Sequence, residues 1–476
     1  MCGASSGSIP TDVGQPAIRV SSMIVGGKVE VMHMNKTVWM KEAEKRGITD
    51  FEIYEQKSSS TSIQLFEHKV DGFTISECDG VAIRGIYQGK MGICYLEDAS
   101  DANMDYALSQ LMDNASIITS EDEVEIYAGE DSYPEVKQKE NTFKLKSSEE
   151  KIALLKQIEE AIYASDERIE QVMSVDYAES DVTRSILNSK QLSLSDSNSY
   201  SMVMAQVMAK DHEDVKSDYD WAVIMDEKDI DVQAFANKLS KKVCDKLNAT
   251  QIPSGNYPVI MEKDTMISLL GALCGLFDGE NASKGISILK DSLDKQVFNE
   301  KITIIDDPLM DYGYSSCSFD DEGVSCKKKT VVEQGVLKTY LHNLKSAKLM
   351  NTTSTGNGFK AGYASNVGIS PTNFYIQNGD TSFDDMVSSM EQGVIITDIT
   401  GLHAGLNPIS TEFSLQSSGF YVEHGKIVKP INLITVAGNF MDAMKEIEAV
   451  GNDLKFSYSG IGAPSIKFKE LAISGE

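Results

Sequence analysis

The stretch "FSLQSSGFYVEHGKIVKPI", Phe413 to Ile431, decides how the second half of this 476-residue chain is read. Short runs rich in β-branched and aromatic residues alternate with Gly and Pro, the signature of strands joined by tight turns. The same texture covers "KITIIDDP", "KKTVVEQGVLKTYLHN", "NFYIQNGD" and "GVIITDITGLHAG". Turn signals about every 8 to 12 residues predict a β-rich domain over residues 251–476, sandwich-like or barrel-like, with one helix, "DTMISLLGALCGLF".

Upstream the pattern is mixed. Residues 34–117 carry a helix in "NKTVWMKEAEKRGI", period-2 segments in "DFEIYEQ", "STSIQLFEHKV" and "GFTISEC", a hairpin around Gly89 and a helix in "DASDANMDYALSQLMDNA". Residues 118–145 are acidic and predict a linker. A central α/β unit over 146–250 opens with "SSEEKIALLKQIEEAIYAS", with Ser147 or Ser148 as its N-cap. Its Met-rich strand, "SYSMVMAQVMAK", is expected to fill core. The fold class is therefore α+β: N-terminal mixed α/β units with antiparallel strands and a C-terminal β-rich domain.

The net charge of −28 argues against direct nucleic-acid binding, which needs a basic surface to neutralise phosphates. Lys327-Lys328-Lys329 follows Asp320-Asp321-Glu322, and the pair of runs is expected to form a solvated hairpin. No apolar run is long enough to span a bilayer, and "MCGASSGSIPTDVGQP" has neither the basic nor the apolar region of a secretory signal. Seven scattered Cys without a CxxC pair point to reduced thiols. Cytoplasmic localisation and no membrane contact are the expectations.

Chemistry is sparse. His212-Glu213 lacks a second His one turn on, so it makes no zinc helix. His403 sits in a Gly-rich loop with no recognisable partner. Cys317 and Cys326 flank a turn as cross-strand candidates, and Asp306-Asp307 and Asp320-Asp321 fit turn and cap roles.

Several long segments nevertheless occur in a familiar order: "GVAIRGIYQGKMGICYLE", "GVLKTYLHNLKSAKLMNTTSTGN", "VGISPTNFYI", "TDITGLHAGLNPISTEFSLQSSGF" and "GIGAPSIKFKELAISGE". Over Met34–Glu476 the chain resembles the PmbA/TldE half of the TldD/TldE family, whose two kinds of member pair into zinc metallopeptidases acting on unfolded or peptide-like substrates. In the TldD kind, an HExxxH helix and a downstream Cys hold the metal. Placed on "SLLGALCGLF", the two His fall on Gly271 and Leu276 and the Glu on Ala272. None of these can bind zinc or take a proton.

The N-terminal 1–33 segment resembles the C-terminal tail of TldD. Its "VGQPAIRVSSMIVGG" aligns with the chain's own "IGAPSIKFKELAISG", matching Gly14 to Gly462, Pro16 to Pro464 and Gly27 to Gly475. Extended back without a gap, Cys2 meets Val450, so Cys2 matches the TldD zinc ligand while Val450 is aliphatic. A fragment or start artefact is expected for this segment, rather than a fusion remnant.

The resemblance implies a metal-free subunit, inactive alone, with no cofactor of its own and zinc in a TldD-like catalytic partner. It would complete the cleft, where His403 and Asn407 are the expected lining; a homodimer when the partner is absent stays open. Two alternatives stay open: a non-enzymatic, gyrase-modulator-like regulatory protein, and a self-sufficient peptidase built around His403 and Cys317.

Overall fold

A computed structural model describes residues 34–119 and 124–476. The first helix, α1 (Lys36–Lys45), is capped by the Asn35 side chain accepting from the Val38 N–H. It ends ahead of Gly47, which takes the left-handed φ of 80° that reverses the chain. Three long strands follow: β1 (Ile48–Phe66), β2 (Lys69–Tyr87) and β3 (Lys90–Leu96). The separate period-2 segments thus fuse into two 19-residue strands. The polar run Lys57–Ser62 does not interrupt β1, because its backbone pairs on both sides, with β2 and with β4 (Ile169–Asn188). A ladder needs peptide groups, not apolar side chains.

With β5 (Ser193–Asp211) and β6 (Asp214–Val223), these strands form one antiparallel sheet in the order β3-β2-β1-β4-β5-β6. The pairing of β1 with β4 means that the segments on either side of residues 118–145 share a single sheet. One face carries helices. Against its first half, α1 and α2 (Met104–Ser116) bury Trp39, Ile53, Ile83, Leu108 and Leu111. Gly92 permits the close approach of α2: a Cβ there would stand 2.0 Å from the Leu111 carbonyl oxygen. Against the second half, α3 (Ser148–Ser165) and α4 (Val232–Cys244) bury Leu155, Ile158, Val175, Tyr177, Val203 and Leu239. Ser147 caps α3 in a reciprocal capping box with Glu150. In the Met-rich strand, Val203, Ala205 and Val207 are the core residues, while Met202, Met204 and Met208 lie half-buried on the opposite face. Period 2 puts the two sets on opposite sides.

The C-terminal domain begins with β7 (Gly255–Met261). In its larger sheet, Lys426–Asn439, Glu412–Glu423, Gln392–Thr400, β7, Ile466–Ser474 and Ile447–Val450 lie side by side. Lys426–Asn439 also pairs with Ile466–Ser474, so five of these strands close into a barrel. A second six-stranded sheet, including Ile304–Asp306, Phe374–Ile376 and Ile461–Ala463, packs against it around a common core with Phe277, Phe298, Phe374 and Phe440. The expected helix Asp264–Phe277 is shorter: α5 (Lys263–Ala272) stops at Leu273 and a 3₁₀ turn, Cys274–Phe277, follows. Gly271 and Gly275 bracket the break, and each lowers helix propensity by about 1 kcal/mol.

Candidate functional site

The face of the N-terminal sheet without helices is polar and meets the C-terminal domain. Register stacks its residues in rows across the strands: Arg84, Glu52 and Asn188; Ala82, Tyr54, Ile186 and Leu194; Gln56, Arg184 and Asp196; Val182 and Asn198; Ser180 and Tyr200. Only the second row is apolar, and it packs with Leu192 on Phe319 of the opposing domain.

The opposing element is the loop "SFDDEGVSC", Ser318–Cys326, a tight turn bridged at Phe319 and Ser325. Its acidic run is buried, contrary to the expected solvated hairpin, with Asp320, Asp321 and Glu322 at 0%, 3% and 6% exposure. The reason is that each carboxylate finds donors across the domain boundary or within the turn. Asp320 accepts from the backbone N–H groups of Glu322, Val324 and Gly358. Asp321 accepts from Arg184 Nη1 at 2.6 Å, Tyr54 Oη at 3.1 Å and the Lys360 N–H at 2.8 Å. Glu322 accepts from the Leu344 N–H at 2.7 Å and faces Arg84 Nη1 at 3.9 Å. Arg84 Nε in turn donates to Glu52 at 2.6 Å, while Arg84 Nη2 and Glu52 Oε2 are buried without a hydrogen-bond partner. Burial, and then the neighbouring Glu322, push the Asp320 carboxyl up against its three N–H bonds. Burial pushes the Lys360 ammonium down to about 8. Of the basic run, Lys328 reaches Asp307 at 2.7 Å and Lys329 reaches the fully buried Asp306 at 2.9 Å.

Cavities ring this boundary. One of about 310 Å³ lies over Tyr54, Arg184, Asp196, Ser316, Phe359 and Lys360. It shares Asp196, Ser197 and Cys317 with a neighbour of about 590 Å³ walled by Pro134 and Val136. It shares Asn198 and Tyr200 with another of about 300 Å³ at Tyr312 and Tyr314. Together they form a groove along residues 195–200 of β5. There β5 is an edge: β6 pairs with it only from Met202 onward, and among the described residues no strand pairs with Ser193–Tyr200 on that side. A free strand edge beside an open groove can take up an extended chain through main-chain hydrogen bonds.

The residues singled out in the sequence are distributed differently. Gly271 and Ala272 are exposed on the last turn of α5, whereas Leu276 and Val450 are buried in the apolar core of the C-terminal domain. Zinc placed at these four positions would meet no side-chain donor, so the metal does not fit them. Among the described residues, no group of three His, Cys, Asp or Glu side chains could hold a metal ion. His403 is exposed in a single helical turn, Leu402–Gly405. Asn407 closes its own turn by accepting from the N–H groups of Ile409 and Ser410. It lines a separate hollow that shares no residue with the groove. Cys2 lies outside the described residues. Cys317 and Cys326 are neighbours, with their sulfurs 3.6 Å apart. Sequence reading does not single out Arg184 or Lys360, and it gives Asp321 only a turn or cap role in a solvated hairpin. The available signal was the alternation of polar residues along β4 and β5, which reads equally as a solvated face.

His342, in the segment "YLHNLKS", is buried with Nδ1 3.0 Å from Ser346 Oγ, and its ring fills the space beside Gly279. Burial lowers its pKa from 6.5 to about 4. The unfolded chain therefore binds the extra proton first, so stability falls as the pH drops from about 6.5 toward about 4. In urea titrations His342→Gln is expected to lose less stability over that interval than the parent. Parallel curves for the two would exclude this histidine as a source of acid sensitivity.

Comparison with known proteins places the chain among relatives. Family models described as PmbA/TldA metallopeptidase domain 1, central domain and C-terminal domain match residues 51–115, 141–247 and 254–475. A metalloprotease TldD homolog of Buchnera aphidicola is 33% identical over 243 residues, 48% of this chain and 50% of that protein. The chain thus spans about half the length of that relative. An uncharacterized protein of Methanocaldococcus jannaschii is 30% identical over 440 residues, covering 90% of this chain and 97% of its own. The crystal structure of a proposed modulator of a DNA gyrase from Thermotoga maritima superposes with a TM-score of 0.85 at 31% identity, over 92% of this chain and 99% of that one.

Proposed function

The chain belongs to the PmbA/TldA metallopeptidase family, and we propose that it serves there as a metal-free, TldE-like subunit. In this reading it pairs with a TldD-like, zinc-bearing subunit, stabilises it and completes a cleft for unfolded proteins or peptides. The observation that carries the reading is the side-chain chemistry at Gly271, Ala272 and Leu276, where a hydrogen atom, a methyl and a buried isobutyl group stand in place of two ligands and a base. A general base must reach the metal-bound water, and none of these groups accepts a proton. The groove along β5 supports the substrate half of the proposal: its edge offers peptide groups, which bind any sequence, and its walls mix polar side chains with the rings of Tyr54, Tyr200 and Phe359.

The test is cleavage of denatured casein fragments with zinc present. The chain is assayed alone, the matching TldD-like protein alone, and the two together, each with and without chelator. The chain alone should be silent, and the mixture should exceed the TldD-like protein by about tenfold or more, the scale on which better substrate positioning acts. Chelator-sensitive turnover by this chain alone would overturn the reading, and so would a mixture no faster than its TldD-like component.

A further inference from the structure

One cavity at the domain boundary has no part in the β5 groove proper. It encloses about 210 Å³ between β2, β3 and the segment around Asn343–Lys348. Four cations line it, and two are matched by carboxylates: Lys345 by Glu280 at 3.0 Å and Lys348 by Glu125 at 3.4 Å. The other two have capacity to spare. Arg84, 9% exposed, uses Nε on Glu52 and has Nη2 without an acceptor. Lys360 Nζ makes no ion pair or hydrogen bond among the described residues, and stands 4.1 Å from the centroid of the Tyr54 ring. Lost hydration, and then repulsion by Arg84, outweigh the pull of Glu52, Asp321 and Glu322, so that its pKa falls to about 8.

We propose that this cavity binds a small carboxylate, held between the Arg84 guanidinium and the Lys360 ammonium. A group rich in acceptors and without protons complements two unfilled donors. Glu125 and Glu322 also line the cavity, so a singly charged carboxylate is favoured over a phosphate dianion. A space of about 210 Å³ has room for several waters, which suits the end residue of a peptide. Lys360 lines the groove cavity as well, so a chain lying along β5 can end at it. Assigning the carboxylate to a peptide C-terminus rests on the proposed function; the carboxylate site itself does not.

The experiment is calorimetric titration of the full-length chain alone with an acetylated pentapeptide as free acid and as C-terminal amide, and with acetate and inorganic phosphate. The free acid should bind about tenfold or more tighter than the amide, as expected for one charge-assisted contact. Lys360→Met should erase that ratio and Lys360→Arg should keep it. The Met variant removes a half-buried charge whose Nζ makes no ion pair or hydrogen bond among the described residues, so it is expected to fold. Acid and amide binding equally in the parent would overturn the proposal, as would phosphate binding tighter than acetate. Acetate matching the free acid would keep the carboxylate site but assign it to a free small acid instead of a peptide end. Because no cleavage is measured, a failed mixing assay with an intact acid–amide ratio removes the subunit reading alone.

Discussion

Arg184→Met is expected to lower the stability of the folded chain by about 3–5 kcal/mol, the usual cost of stripping one partner from a buried ion pair. The side chains of Arg184 and Asp321 are 14% and 5% exposed, and their nitrogen and oxygen lie 2.6 Å apart. Arg184 also donates to the Phe319 carbonyl oxygen at 2.7 Å and stacks 4.9 Å from the Phe319 ring centroid. One guanidinium therefore ties the middle of the N-terminal sheet to a turn of the C-terminal domain. Its loss leaves Asp321 with Tyr54 Oη and one backbone N–H, neither of which carries charge.

Adding Asp321→Asn should recover part of that loss, because a neutral amide in the same place needs no counter-ion. A double-mutant cycle then gives the coupling directly. Urea unfolding followed by tryptophan fluorescence is a suitable readout, since Trp39 and Trp221 both belong to the N-terminal sheet unit. A loss below about 1 kcal/mol would mean that the pair behaves like a hydrated surface bridge.

Gly419→Ala should be as damaging, at about 3 kcal/mol or more, the upper range for overpacking a core. Gly419 lies within the stretch that first identified the β-rich domain. It faces Ile396 on one neighbouring strand and Ile431 on the other, and the register shifts at that point on both sides. The strands approach so closely there that a Cβ would stand 1.8 Å from the Ile395 carbonyl oxygen. No rotamer relieves a clash with backbone, so one side of the barrel would have to open. Thermal unfolding and soluble yield of Gly419→Ala report this; a Tm within a few degrees of the parent would show that the barrel widens freely at this bulge.

Gly419 is conspicuous in the sequence as a break in a strand-like run, although whether it marked a turn or a bulge was not readable, because both use glycine for unlike reasons. Arg184 and Asp321 are 137 residues apart, and nothing local in either segment points to the other. Charge runs are usually solvated, and Asp320–Glu322 reads that way locally. It is buried because Tyr54, Arg84 and Arg184 from three strands, and the backbone N–H groups of Leu344, Gly358 and Lys360, converge on it.

The sequence by itself determined the class of the longer elements: helices from 3.6-residue periodicity and caps such as Ser147, strands from alternation, the hairpin at Gly89 from its turn chemistry. Those signals are local, carried by residues a few positions apart. It also determined the family, through long ordered motifs, and the absence of donor atoms at Gly271, Ala272 and Leu276. Only the tertiary structure decided that the two N-terminal units share one sheet, that its polar face lines a groove instead of meeting bulk water, and that Arg84 and Lys360 face one cavity. Those facts depend on the pairing of β1 with β4 and on the seating of the C-terminal domain. Both are set by packing between distant segments, which no window of neighbouring residues contains.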